Sequence, residues 1–74
     1  MIEDATRIRV IKAILHMDSK AFATAIGVAQ NTVTGWESGR SVPNQESRLA
    51  IAGLCMDRGI EFRADGMPLP KEAK

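Results

Sequence analysis

Gly27, Gly39 and Gly59 cut the first sixty residues into apolar stretches of only a few helical turns each. Helices that short are marginal in water, so each must bury a face against the others. Ile8, Ile11, Ile14 and Leu15 recur at three and four and predict a helix over 4–17, with Arg7, Arg9 and Lys12 largely off that stripe. Asp18 or Ser19 caps a second helix over about 19–26, with Phe22, Ala23 and Ile26 apolar and Gly27 ending it. A third covers about 29–38 and stops at Gly39, and "SGRSVPN" reads as loop. A fourth, over about 44–57, has Asn44 as cap, Leu49, Ala52, Gly53 and Met56 as its expected inner face, and Gly59 as its stop. The period then shortens to two. Ile60, Phe62 and Ala64 alternate with Glu61, Arg63 and Asp65, which is a strand pattern, and Asp65-Gly66 signals a two-residue hairpin turn. "MPLP" returns as a second strand, which its two prolines restrict to an edge.

Seventy-four residues allow one small core. A domain of this size buries only about 60% of its unfolded surface, so association with a second copy would help it. Apolar content of 45% and charged content of 26% suit a folded chain rather than a disordered one. The single cysteine, Cys55, cannot form an internal disulfide, and no Cys/His cluster offers a zinc site, so a reducing cytoplasm is expected. No apolar run approaches the roughly 20 residues that span a bilayer, and "MIEDATRIRV" is charged too early for a signal peptide. One His, one Cys and scattered carboxylates make no convergent site, so neither an enzyme, a cofactor, a metal nor a small-molecule ligand is expected. Ten Lys/Arg against nine Asp/Glu give +1, a faint footprint for a polyanion partner. The acids, however, have local work: Glu3, Asp4, Asp18 and Glu46 fall at helix starts, where a carboxylate complements the dipole.

The segment from about 18 to 39 is two short helices joined by a tight glycine-containing turn. That layout puts a first helix across a duplex backbone and a second in the major groove. Ala23 lets the helices approach, and Val28, Val33 and Trp36 close the core beneath. Ala29, Gln30, Asn31, Thr34 and Gly35 are left outward as candidate base readers. Gln and Asn bond adenine N6 and N7 bidentately, and small apolar or Thr groups touch thymine methyls.

"FATAIGVAQNTVTGWESGRSVP" resembles the lambda-repressor-like, Cro/C1 or XRE-type helix-turn-helix family, on Phe22, Ala23, Gly27, Val28, Thr32, Val33, Trp36, Glu37, Gly39 and Pro43. The resemblance covers about residues 5–58. It implies a mostly α, four-helix domain over 1–58 with a C-terminal strand or hairpin over 59–70, followed by a flexible tail over 71–74. It implies base-reading positions at Gln30, Asn31 and Gly35, and phosphate positions at Ser19 and the 39–44 loop. Lys20, Arg40, Ser41 and Asn44 complete the phosphate candidates. The implied function is sequence-specific binding of double-stranded DNA, as a small phage or bacterial repressor acting by promoter occlusion in the bacterial cytoplasm or an infected host cell. The rivals are a DNA-binding antitoxin or control protein with a protein partner, and the same fold used only for protein contacts. The chain departs from the family pattern at Ser19, where Gln is common, and at Ala29, where Ser or Thr usually caps the recognition helix. Losing that cap costs about 1 kcal/mol, and mid-helix Gly35 about another 1 kcal/mol. Lys12 falls where the family commonly pairs an Arg with the Glu here numbered Glu37, so a Lys12–Glu37 ion pair is expected.

Plainer roles are expected elsewhere. Trp36 is core, Arg7 and Arg9 form a solvated helix face, His16 is surface, Cys55 is a small buried hydrophobe, and Met56 and Met67 fill gaps or meet a partner copy. The tail offers a dimer edge at Ile60, Glu61, Phe62 and Arg63. A two-residue turn would set Phe62 opposite Leu69 and Glu61 opposite Pro70, leaving the backbone groups of Glu61 and Arg63 pointing outward. Two copies would then meet antiparallel about Phe62 and require a palindromic operator.

Overall fold

The computed structural model describes residues 3–70, so the tail expected over 71–74 lies outside the described residues. Helix α1 (Asp4–Leu15) carries Asp4 in its first turn and closes two residues earlier than its periodicity suggests. His16 takes φ +57°, and the Met17 N–H turns back to the Lys12 carbonyl at 2.9 Å. Helix α2 (Ser19–Ile26) is capped by Asp18, whose Oδ1 accepts from the Ala21 N–H at 2.7 Å. Helix α3 (Gln30–Glu37) begins at Ala29 with no side-chain cap, as its sequence predicts. Helix α4 (Gln45–Asp57) is capped by Asn44, which accepts from the Ser47 N–H at 2.8 Å. Strands β1 (Ile60–Phe62) and β2 (Pro68–Pro70) form an antiparallel pair.

One core joins all the helices to the first strand. Ile8 and Ile11 come from α1, Phe22 and Ala23 from α2, Val33 and Trp36 from α3, Ile51 and Cys55 from α4, and Ile60 from β1. Burying side chains of this size stabilises by roughly 1.5–3 kcal/mol each, and that drives the assembly. Cys55 is fully buried, as expected of a small hydrophobe, and burial pushes its thiol up to about 11, so it stays protonated and unreactive at neutral pH.

Two expectations about packing are corrected. The inner face of α4 is Ile51 and Cys55, with Leu54 packed beside them. Leu49 and Met56 are 66% and 81% exposed, and Ala52 and Gly53 lie with them on the solvent side. The helix is apolar on two sides, and the side with Ile51 and Cys55 is the one that joins the core. The hairpin register is also one residue away from the expected one. Ile60 faces Pro70, Glu61 faces Leu69 and Phe62 faces Pro68. The loop is three residues, Ala64-Asp65-Gly66: the Gly66 N–H reaches the Arg63 carbonyl at 2.9 Å, and Gly66 takes φ +94°. The Asp65 carboxylate accepts the Met67 N–H at 3.0 Å, which selects this longer loop over the two-residue turn.

The polar ties across the fold are few. Asp4 takes a bidentate bond from Arg48, 3.0 Å at each oxygen, joining α1 to α4. Arg7 bonds Asp4 at 2.9 Å and the Gly66 carbonyl at 3.3 Å, which pins the hairpin onto α1. Arg7 is therefore a structural tie, not the solvated residue expected. Among the described residues no helix is long and apolar enough to cross a membrane.

Candidate nucleic-acid interface

The turn between α2 and α3 is built by Gly27, whose φ of +79° lets the Val28 N–H fold back to the Ala23 carbonyl at 3.0 Å. Buried Ala23 brings the two helices together, and Val33 and Trp36 face the core beneath. This fixes which side of α3 is free. Gln30 and Asn31 are exposed, and neither side chain hydrogen-bonds another described residue. Thr34 is half-buried and donates its hydroxyl to the Asn31 carbonyl at 3.0 Å. Ala29 is exposed at the helix start. These four lie at the start and in the first turns of α3, and the amide groups of Gln30 and Asn31 keep full donor and acceptor capacity.

Gly35 faces away from the core, as expected, but is covered by the loop that follows the helix. It is buried, and its carbonyl accepts from the N–H groups of Arg40 at 3.0 Å and Ser41 at 3.3 Å. The loop folds back over it because the absent side chain leaves room. Sequence reasoning passed over Ser38. It is exposed, lies four residues after Thr34 on the same side of the helix, and donates to the Gly35 carbonyl at 3.1 Å. The i, i+4 row of Gln30, Thr34 and Ser38 was the signal that would have found it.

The far end of α3 is locked by a polar cluster. Lys12 pairs with Glu37 as expected, with side chains only 17% and 14% exposed. Ser19 joins the pair, donating its hydroxyl to Glu37 Oε1 at 2.8 Å and accepting from Lys12 Nζ at 2.8 Å. Arg9, expected in solvent, donates to the Glu37 carbonyl at 2.6 Å. Burial alone would raise the Glu37 carboxyl. Hydrogen bonds from Lys12 and Ser19 and the charges of Lys12 and Arg9 outweigh it and hold the group below its ordinary value. The Ser19 hydroxyl is thus committed internally, which removes it as a phosphate donor. What α2 presents instead is the exposed Lys20 and the first-turn N–H groups other than that of Ala21, which Asp18 already caps. Arg40, Ser41 and Asn44 are exposed on the loop after α3. Asn44 spends its carbonyl oxygen on the α4 cap and keeps its amide N–H donors.

The dimer candidates lie on the hairpin, which packs on α1 and α4. Ile60 buries its side chain in the protomer's own core, whereas the side chains of Glu61, Phe62 and Arg63 are exposed. Phe62 lines an apolar cleft of about 270 Å³ with Ile8, Ile51 and Ala52, bounded at its rim by Asp4 and Arg48; no residue of α3 takes part. Among the described residues, no three His, Cys, Asp or Glu gather to hold a metal ion.

In comparison with known proteins, a family model described as helix-turn-helix matches residues 8–55. No curated protein and no solved structure matches the chain.

Proposed function

The chain belongs to the helix-turn-helix family of DNA-binding regulators, and on that premise we propose that it binds a specific double-stranded DNA sequence as a homodimer and represses transcription by occupying a promoter. One observation carries this reading: Gln30 and Asn31 stand exposed on α3 with no internal hydrogen-bond partner, beside Thr34 and Ala29. An amide pair of this kind matches the N6 and N7 edge of adenine, and the neighbouring small groups suit thymine methyls. Lys20 on one flank, with Ser41 and Asn44 on the other, offers donors to phosphates, which position the helix without reading sequence. Such a regulator works where DNA is, in the cytoplasm of a bacterium or of a phage-infected cell.

Selection of bound duplexes from a random pool tests the reading. Gln30→Ala and Asn31→Ala should each lose roughly 1–3 kcal/mol on the selected site and relax preference at one base pair. Variants that keep the full preference would remove α3 from the groove. Affinity for random DNA that does not change with salt would remove the DNA partner altogether.

A further inference from the structure

Asn31 and Gly35 lie one turn apart on the side of α3 turned from the core, and only Asn31 has a side chain to offer. The space is not empty. A β-carbon added at Gly35 would lie 3.1 Å from Ser41 Oγ and 4.0 Å from Arg40 Nη2. Loop side chains therefore occupy the volume that a side chain at position 35 would fill.

Arg40 is held there at two points. Its backbone N–H bonds the Gly35 carbonyl at 3.0 Å. Its Nε donates to Ser38 Oγ at 3.2 Å, and that hydroxyl donates onward to the Gly35 carbonyl at 3.1 Å. The Nε edge of the guanidinium is thereby used. The Nη1 and Nη2 end remains, and among the described residues no carboxylate pairs with it. A phosphate contact asks only for charge on a mobile stem. A planar fork fixed against the recognition helix, with two parallel N–H groups free, suits the O6 and N7 acceptors of guanine.

We propose that Arg40 is a specificity-determining residue: it supplies from the loop the side chain that Gly35 lacks, and reads a guanine next to the base pair read by Asn31. Ser38 is its positioning residue. This replaces the phosphate role that the sequence suggests for Arg40, and it rests on the DNA-binding reading above.

The test is selection from a random duplex pool with wild type, Arg40→Lys, Arg40→Ala and Ser38→Ala, each confirmed folded by circular dichroism, followed by affinity against salt. Wild type should select a fixed guanine in each half-site. Arg40→Lys keeps the charge, so the salt slope should stay while discrimination at that base pair falls about tenfold or more. Ser38→Ala should erode preference at the same base pair and nowhere else. Wild-type preference at every position in Arg40→Lys would overturn the proposal. So would an Arg40→Ala loss that is equal on all sequences, with a slope lower by about one, since that is the signature of a phosphate contact. A wild type that selects no sequence at all would instead overturn the DNA-reading itself, and this inference with it.

Discussion

At the scale of single residues, the cluster of Lys12, Ser19 and Glu37 decides how firmly the helix-turn-helix unit is held. It joins three helices through one carboxylate, and its members are half-buried. Removing one partner of such a pair leaves the other charge desolvated, so the two single losses exceed what the pair contributes. Lys12→Ala and Glu37→Ala should each destabilise by roughly 1–3 kcal/mol, and the double variant by clearly less than their sum. Urea titrations of the four proteins check this, and strict additivity would sink it. The pH dependence follows from the lowered Glu37 value. A carboxyl whose folded value lies below its unfolded one stabilises fully above the unfolded value, near pH 4.3, and loses that contribution as pH falls through the folded value. The gap between wild type and Glu37→Ala should therefore be widest near neutrality and narrow as pH falls through the lowered folded value.

At the scale of elements, α3 is the weakest helix by construction. It has eight residues, no N-cap side chain and a glycine at its centre. Ala29→Ser supplies a hydroxyl to the orphan first-turn N–H groups and should add about 1 kcal/mol. Hydrogen exchange should show slower exchange in α3 without change in α1 or α4, and uniform slowing across the domain would contradict a local cap effect. The element level is also where the sequence was most and least legible. Asp18, Asn44, Gly27 and Gly39 announce helix limits because caps and turns are local chemistry, and the expected boundaries agree to within two residues. The Lys12–Glu37 tie was legible only through the family resemblance. The buried side of α4 was not legible, because Leu49, Ala52, Gly53 and Met56 recur at the same spacing as the residues that are actually inside. Tertiary fit to the core makes that choice, and periodicity does not contain it. The hairpin register failed for another reason. Asp65-Gly66 signals both a two-residue turn and the end of a three-residue loop, and the Asp65 bond to Met67 favours the longer one. On α3, Gln30 and Asn31 followed from helical phase alone, whereas the covering of Gly35 depends on a loop whose path no local rule predicts.

At the scale of the whole molecule, the shifted register changes which groups a partner copy would meet. The Arg63 N–H bonds the Met67 carbonyl at 2.9 Å, so Arg63 and, two residues earlier, Glu61 turn their backbone groups toward β2. Phe62 turns its own N–H and carbonyl to the free edge, the reverse of the sequence-based expectation. An antiparallel pairing about Phe62 still closes: the two Phe62 residues exchange both hydrogen bonds, and Glu61 of each copy faces Arg63 of the other. Both prolines of β2 oppose non-hydrogen-bonded positions, so the outer edge of the resulting four-stranded sheet stays blunted by groups that cannot donate. The stabilisation is modest. Cross-strand charge and aromatic pairs contribute roughly 0.2–1 kcal/mol each, and Arg63 must give up its exposed 3.1 Å pair with Asp65. A dimer held this way should dissociate on dilution unless DNA holds both copies, and it would present two α3 helices to a palindromic site with half-sites about 34 Å apart. Arg63→Glu sets like charges across the axis twice. In sedimentation velocity it should shift the population to monomer, and on a palindromic duplex it should abolish cooperative binding while leaving half-site affinity in place. A dimer that survives Arg63→Glu and disappears in Leu49→Glu would belong to the exposed row of α4, and the edge pairing would be wrong.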